Sequence, residues 1–156
     1  MPTVDGELEI GRMRPDDLDQ VLAIEQVSFP TPWSRAAYRR EVTENSYAHY
    51  LVMRLEGSIV AYGGMWVVLD EAHITTLAVT PALRCQGLGR RVLEALGELA
   101  ASLGASRISL EVRRSNLTAQ RLYNRFGFSA CGIRRRYYTD TNEDALIMVK
   151  EGIRPG

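Results

Sequence analysis

One segment limits what this chain can become: Val79-Thr80-Pro81-Ala82-Leu83-Arg84-Cys85-Gln86-Gly87-Leu88-Gly89-Arg90-Arg91. A strand-like run, Ala72 to Val79, stops at Thr80-Pro81. It passes through a glycine-bearing loop and enters a long amphipathic helix with Leu88, Val92, Ala95, Leu96, Leu99 and Leu103 on its apolar stripe. The first turn of a helix has unpaired backbone N–H groups and a partial positive charge, so phosphate binds readily there. Gly87 and Gly89 remove side chains where a pyrophosphate would approach, and Arg84, Arg90 and Arg91 add charge. The loop lacks the terminal Gly-Lys-Ser/Thr of the Walker pattern and the three spaced glycines of the dinucleotide fingerprint. Two readings stay open: a phosphate loop of another kind, or a helix start whose glycines serve close packing.

The elements on either side predict a mixed α/β sheet. Glu7 to Met13 alternates as a first strand. Arg14-Pro15-Asp16-Asp17 starts a helix with Leu18, Val21, Leu22 and Val27 on its buried side. Phe29-Pro30-Thr31-Pro32-Trp33 breaks that helix, and Ser34 caps a second one from Arg35 to about Thr43. Tyr47 to Leu55 and Ser58 to Leu69, joined at Glu56-Gly57, read as a hairpin. After the long helix, which Gly104 closes, Ile108, Leu110 and Val112 alternate as a strand. Leu117, Ala119, Leu122, Tyr123 and Phe126 line one side of another helix, closed by Gly127. Phe128 to Tyr138 and Ala145 to Val149 complete the strands. Antiparallel strands followed by strand–helix–strand units make a mixed, mostly antiparallel sheet flanked by helices.

Size and charge exclude several classes. At 156 residues the chain fits one domain, expected over 5–150 with a tail at 151–156. Lysine plus arginine equals aspartate plus glutamate at 19 each, so the basic excess of a general nucleic-acid binder is missing. The longest apolar stretch, Ile59 to Leu69, is too short to span a bilayer, and the opening residues have no signal-peptide pattern. Cys85 and Cys131 give no disulfide framework and read as reduced thiols of a cytoplasmic protein. Neither His49 nor His73 has a metal-ligand companion, so no metal is expected, and a structural role is expected for His73.

The chain resembles the GNAT acetyltransferases. Their coenzyme loop reads Arg/Gln-x-x-Gly-x-Gly/Ala, which Arg84-Cys85-Gln86-Gly87-Leu88-Gly89 fits. The second half of the signature stands as Asn116, Ala119, Leu122-Tyr123 and Gly127-Phe128. Asp70-Glu71-Ala72, Leu110-Glu111-Val112-Arg113 with Ser115-Asn116, and Arg135-Arg136-Tyr137-Tyr138 with Glu143-Asp144-Ala145 and Met148 are similar to the RimI branch, the ribosomal-protein-alanine acetyltransferases. Cys85 stands where that branch often has arginine, which removes one phosphate contact but leaves the backbone contacts intact. The resemblance implies acetyl-CoA as co-substrate. It also implies a bulged fourth strand, Leu77-Ala78-Val79, pairing its main chain with the pantetheine arm, and a sheet splayed between the fourth and fifth strands.

Acetyl transfer to an amine needs a proton acceptor for the amine and a proton for the departing thiolate. Glu111 is either a solvated or ion-paired strand residue or, as the resemblance implies, the acceptor. For that role burial would have to raise its pKa above the ordinary value of about 4.3. Tyr123 is either a core tyrosine or, by resemblance, the donor; phenol and thiol ordinarily differ by only about 1.5 pKa units. Asn116 caps its helix, bonds the coenzyme arm, or does both. Cys85 lies near a helix N-terminus, but no base accompanies it, so a covalent acetyl-cysteine route is not expected. Arg134-Arg135-Arg136 is expected to be a solvated strand face rather than an RNA site. Trp33, Tyr137 and Tyr138 are expected to line the acceptor groove.

Three functions follow: acetylation of a protein N-terminus, a ribosomal protein's among the candidates; a GNAT acting on lysine side chains or a small amine; or an acyl-CoA-binding module without catalysis. Glu111 and Tyr123 argue against the third, and the Tyr137-Tyr138 and Glu143-Asp144-Ala145 segment favours the first. Neither nucleic acid nor membrane is expected as a partner.

Overall fold

The structure is a computed structural model that describes residues 7–153. Residues 1–6 and 154–156, on which part of the tail expectation falls, lie outside the described residues. Seven strands hydrogen-bond in the order β1-β2-β3-β4-β5-β7-β6. The chain divides into two compact units, one running through Trp66 and taking Thr75–Leu96, the other holding Val67–Ile74 and everything from Gly97 on.

In the first unit β1 (Leu8–Arg12) pairs antiparallel with β2 (Ala48–Leu55), which pairs antiparallel with β3 (Ser58–Val68). The β2–β3 turn has positive φ at both Glu56 and Gly57, the backbone a two-residue hairpin requires. After a 3-10 turn at Pro15–Asp17 comes α1 (Leu18–Ser28), and α2 (Arg35–Thr43) follows. Ser34 caps α2 as expected, accepting from the Ala37 N–H at 3.1 Å. Leu18, Val21 and Leu22 are buried as predicted, with Ile24, Tyr38, Tyr50 and Tyr62. Val27 is not: it is 62% exposed, and Glu25 takes the buried position instead. An acid sits there because Tyr38 and Tyr62 donate to it from α2 and β3. At Gly64 a Cβ would stand 2.2 Å from the Tyr50 ring, so the ring lies flat on β3 only because that residue is glycine.

In the second unit the early part of β4 (Glu71–Val79) runs parallel to β5 (Arg107–Arg113), with Glu71, Ala72 and His73 opposite Arg107, Ile108 and Ser109. Parallel strands need a crossover, and α3 (Leu88–Ser102) supplies it. β5 pairs antiparallel with β7 (Glu143–Glu151), which pairs antiparallel with β6 (Ser129–Tyr138). β5 alternates as predicted, with Ile108, Leu110 and Val112 buried. The predicted stripes of α3 and of α4 (Leu117–Arg125) run past their buried parts, since Leu103 and Leu117 are 43% and 57% exposed. Both sit at helix ends, where no second layer covers the side chain. β7 continues through Glu151, one residue into the expected tail.

Candidate active site

In the first unit the loop after β4 makes a 3-10 turn at Pro81–Leu83 and turns sharply before α3. Cys85 and Gly87 both have positive φ, +64° and +85°. A Cβ at Gly87 would meet nothing within 4 Å, so backbone conformation rather than packing calls for glycine there. Open space at Gly87, next to a helix start whose first N–H groups lack intrahelical partners, fits an approaching pyrophosphate. Two of the expected cations have work inside the chain. Arg84 donates Nε–H to the Val79 carbonyl and an Nη to Ser28 Oγ, both at 3.0 Å, bracing the loop to the strand end and to α1. Arg90 pairs with Glu94 one turn on, at 3.1 Å. Leu77, Ala78 and Val79 lie in the last part of β4; Gln86 leads into Gly87, and Leu88 is buried at the start of α3 with Gly89 beside it.

Trp33 belongs to the same unit, and Glu25 fixes its backbone. The Trp33 N–H donates to Glu25 Oε2 at 2.9 Å, while Tyr38 and Tyr62 donate their hydroxyls to Oε1 at 2.6 and 2.5 Å. Burial pushes both phenols well above their ordinary pKa, so they stay proton donors to the carboxylate. Trp33 also lines an open pocket of about 280 Å³ with Ala37, Arg40, Glu41 and Trp66. Glu41 Oε1 accepts from Trp66 Nε1 at 2.6 Å and from the Tyr50 hydroxyl at 2.9 Å. Sequence reasoning singled out neither Glu25 nor Trp66, because an acid in an apolar stripe and a tryptophan in a strand carry no pattern of their own.

In the second unit Glu111 lies on the face of β5 opposite Ile108, Leu110 and Val112. Its side chain is only 10% exposed. Glu111 Oε2 is 2.9 Å from His73 Nε2, and Oε1 is 3.4 Å from Arg134 Nε. These neighbours make Glu111 an ion-paired strand residue, and they do not supply the raised pKa that the acceptor role was expected to require. The His73 hydrogen bond, helped by the charges of His73 and Arg134, outweighs burial and lowers the Glu111 pKa. The carboxylate is therefore kept ionised rather than made more basic. His73 Nδ1 in turn lies 3.0 Å from Ser109 Oγ.

Tyr123 is 8% exposed, packed at 5.7 Å against the Phe128 ring. Burial raises its phenol pKa well above the ordinary range. The small phenol–thiol gap expected from sequence is thus widened, and Tyr123 acts more readily as a hydrogen-bond donor than by giving up its proton outright. Asn116 does cap α4: its Oδ1 accepts from the Ala119 N–H at 3.1 Å.

Tyr137 and Tyr138 meet edge to face at 5.0 Å. A bulge between Arg134 and Tyr138, with Arg136 at φ +54°, shifts the β6–β7 register, and pairing resumes at Tyr138 opposite Glu143. Asp144 holds the bulge by accepting from the Arg136 N–H at 2.9 Å. The Arg113 guanidinium lies 4.0 Å over the Tyr138 ring and grips Asp140 with two donors, at 2.8 and 3.2 Å. Burial, with Tyr137 beside it, pushes the Tyr138 phenol up to about 12. Thus the second unit gathers Glu111, His73, Arg134 and the tyrosine pair, while the coenzyme loop and Trp33 belong to the first. Among the described residues no group of three or more His, Cys, Asp or Glu is placed to hold a metal, and no helix is long and apolar enough to cross a membrane. Cys85 and Cys131 are free and exposed.

Residues 18–128 match the Acetyltransferase (GNAT) family. A Bacillus subtilis protein provisionally named a ribosomal protein bS18-alanine N-acetyltransferase is 47% identical over 139 residues, covering 89% of this chain and 92% of the relative. The crystal structure of the ribosomal-protein-S18-alanine N-acetyltransferase from Escherichia coli superposes with a TM-score of 0.86 at 35% identity, covering 95% of each chain. Naa20 of Chaetomium thermophilum, solved with a bisubstrate analogue, gives a TM-score of 0.81 at 26% identity over 94% of this chain and 88% of that one.

Proposed function

The chain belongs to the GNAT acetyltransferase family, and from that premise we propose that it acetylates the N-terminal α-amine of a protein, a ribosomal protein of the bS18 kind being the first candidate. Enzymes of this family take the acetyl group from acetyl-CoA. The observation that carries the acceptor reading is the similarity, over nearly the whole chain, to proteins named as ribosomal-protein-S18-alanine N-acetyltransferases.

In this reading the pyrophosphate of acetyl-CoA sits on the Gln86-to-Arg90 backbone, with Arg84 and Cys85 shaping the turn. The pantetheine arm pairs along Leu77-Ala78-Val79, with Asn116 near its end. The neutral α-amine attacks the thioester carbonyl carbon. A C–N bond forms, and the C–S bond breaks with its electron pair left on sulfur. The surplus proton on nitrogen passes to the Glu111 carboxylate, directly or through a water. Tyr123 donates a hydrogen bond to the departing thiolate, which takes its proton from that phenol or from solvent. Trp33, Tyr137 and Tyr138 line the acceptor's path. Such an enzyme works in the cytoplasm, where free acetyl-CoA and new protein N-termini meet.

Proton affinity supports the choice of acceptor. An α-amine of pKa near 7.8 is about 14% neutral at pH 7, and a lysine amine near 10.4 only about 0.04%. An ionised carboxylate of lowered pKa is a weak base, so it is suited to the amine that already has a neutral fraction. The test is a competition between a peptide with a free N-terminal alanine and a blocked copy bearing an internal lysine, mapped by tandem mass spectrometry. Preferential α-acetylation is expected. Equal or faster modification of the lysine would overturn the N-terminal acceptor.

A further inference from the structure

The mechanism above leaves a histidine unused on the strand beside Glu111. His73 lies opposite Ser109 in the parallel β4–β5 register. Glu111 is two residues beyond Ser109, on the same face. The imidazole is thereby held at both nitrogens, 2.9 Å from Glu111 Oε2 and 3.0 Å from Ser109 Oγ.

We propose that His73 is a positioning residue for the acetyl transfer: its Nε2–H holds the Glu111 carboxylate in the orientation and ionised form that take the amine proton, and Ser109 sets the tautomer that makes this possible. The inference rests on the reading of Glu111 as the proton acceptor.

A neutral imidazole has one N–H and one lone pair. With a carboxylate against Nε2, the hydrogen belongs on Nε2. Nδ1 is then the acceptor, and the Ser109 hydroxyl can donate to it. Glu111 Oε2 is occupied by this bond. Oε1 lies 3.4 Å from Arg134 Nε, longer than a good hydrogen bond, and is the oxygen this reading assigns to the incoming proton.

The experiment measures kcat, and the KM for acetyl-CoA and for an N-terminal-alanine peptide, in wild type, His73→Gln, His73→Ala and Glu111→Gln. His73→Ala is expected to lower kcat about tenfold or more with little change in the KM for acetyl-CoA. The glutamine amide keeps a donor toward Glu111, so His73→Gln is expected to restore most of that loss. An unchanged kcat in a folded His73→Ala, or no recovery of kcat in a folded His73→Gln, overturns the proposal. If Glu111→Gln keeps wild-type kcat, the assignment of Glu111 itself fails. If it loses activity while both His73 variants match wild type, only the role of His73 falls.

Discussion

The Trp33 backbone N–H is held by the Glu25 carboxylate at 2.9 Å, so a buried acid in α1 fixes the end of the loop that leads into α2. The same carboxylate takes the hydroxyls of Tyr38 and Tyr62. Three donors around one buried acid make it a structural hub rather than a spare charge. Removing it strands all of them.

Glu25→Ala is therefore expected to destabilise the fold by about 3 kcal/mol or more, since each stranded buried donor costs on the order of 1–3 kcal/mol. Urea unfolding followed by circular dichroism measures it. A loss under about 1 kcal/mol would show that the network contributes little.

Glu111→Gln and Tyr123→Phe should each slow turnover by about 10²–10⁴-fold, the usual range for a lost proton-transfer partner. Acetyl-CoA affinity should stay near wild type. Because Tyr123 holds its proton tightly, its variant is expected at the lower end of that range. Single-turnover rates with both substrates saturating separate chemistry from binding, and near wild-type rates in both variants would remove these roles.

Gly87→Val forces a β-branched residue to φ +85°, a strain of about 1–2 kcal/mol or more. Because open space rather than packing surrounds Gly87, the rest of the fold should stand. Acetyl-CoA affinity should fall at least about tenfold by calorimetry, through the displaced loop N–H groups. Undiminished affinity in a folded variant would end the pyrophosphate assignment.

The lowered pKa of Glu111 makes a stability prediction with a definite sign. A carboxyl whose folded pKa lies below its ordinary value stabilises the fold above that value. The stabilisation is lost as pH falls through the lowered value. Glu111→Gln lacks this term, so the stability difference between wild type and variant should shrink on acidification below about pH 4. Denaturant midpoints for the two proteins from neutral to acid pH check it. A difference that stays constant or grows would mean that Glu111 gains no such support from His73 and Arg134.

Arg113→Ala should loosen the β6–β7 turn, because the guanidinium both covers the Tyr138 ring and grips Asp140. The expected result is a raised KM for the acceptor peptide with little change in KM for acetyl-CoA. Steady-state kinetics with each substrate varied in turn decides it. An effect on acetyl-CoA alone would contradict the placement of Tyr138 on the acceptor side.

Local features were legible in the sequence because their causes are local. Ser34 caps α2 through a bond three residues away, Gly57 supplies one of the two positive-φ positions of its turn, and the period-two alternation of Ile108, Leu110 and Val112 marks the buried face of β5. The glycine-bearing loop before α3 and the family signature from Asn116 to Phe128 likewise sit in short stretches of chain, and they identified the family. What the tertiary structure alone decided depends on register between distant segments. The parallel pairing of β4 with β5 sets His73 beside Glu111, and that contact lowers the Glu111 pKa where burial by itself would raise it. The packing of α2 and β3 against α1 buries Glu25 where periodicity favoured Val27, because two phenols supply the hydrogen bonds a buried carboxylate needs. Periodicity along one segment says which side faces inward. It carries no information on which side chain of another segment waits there, and the proton affinities of this site depend on those neighbours.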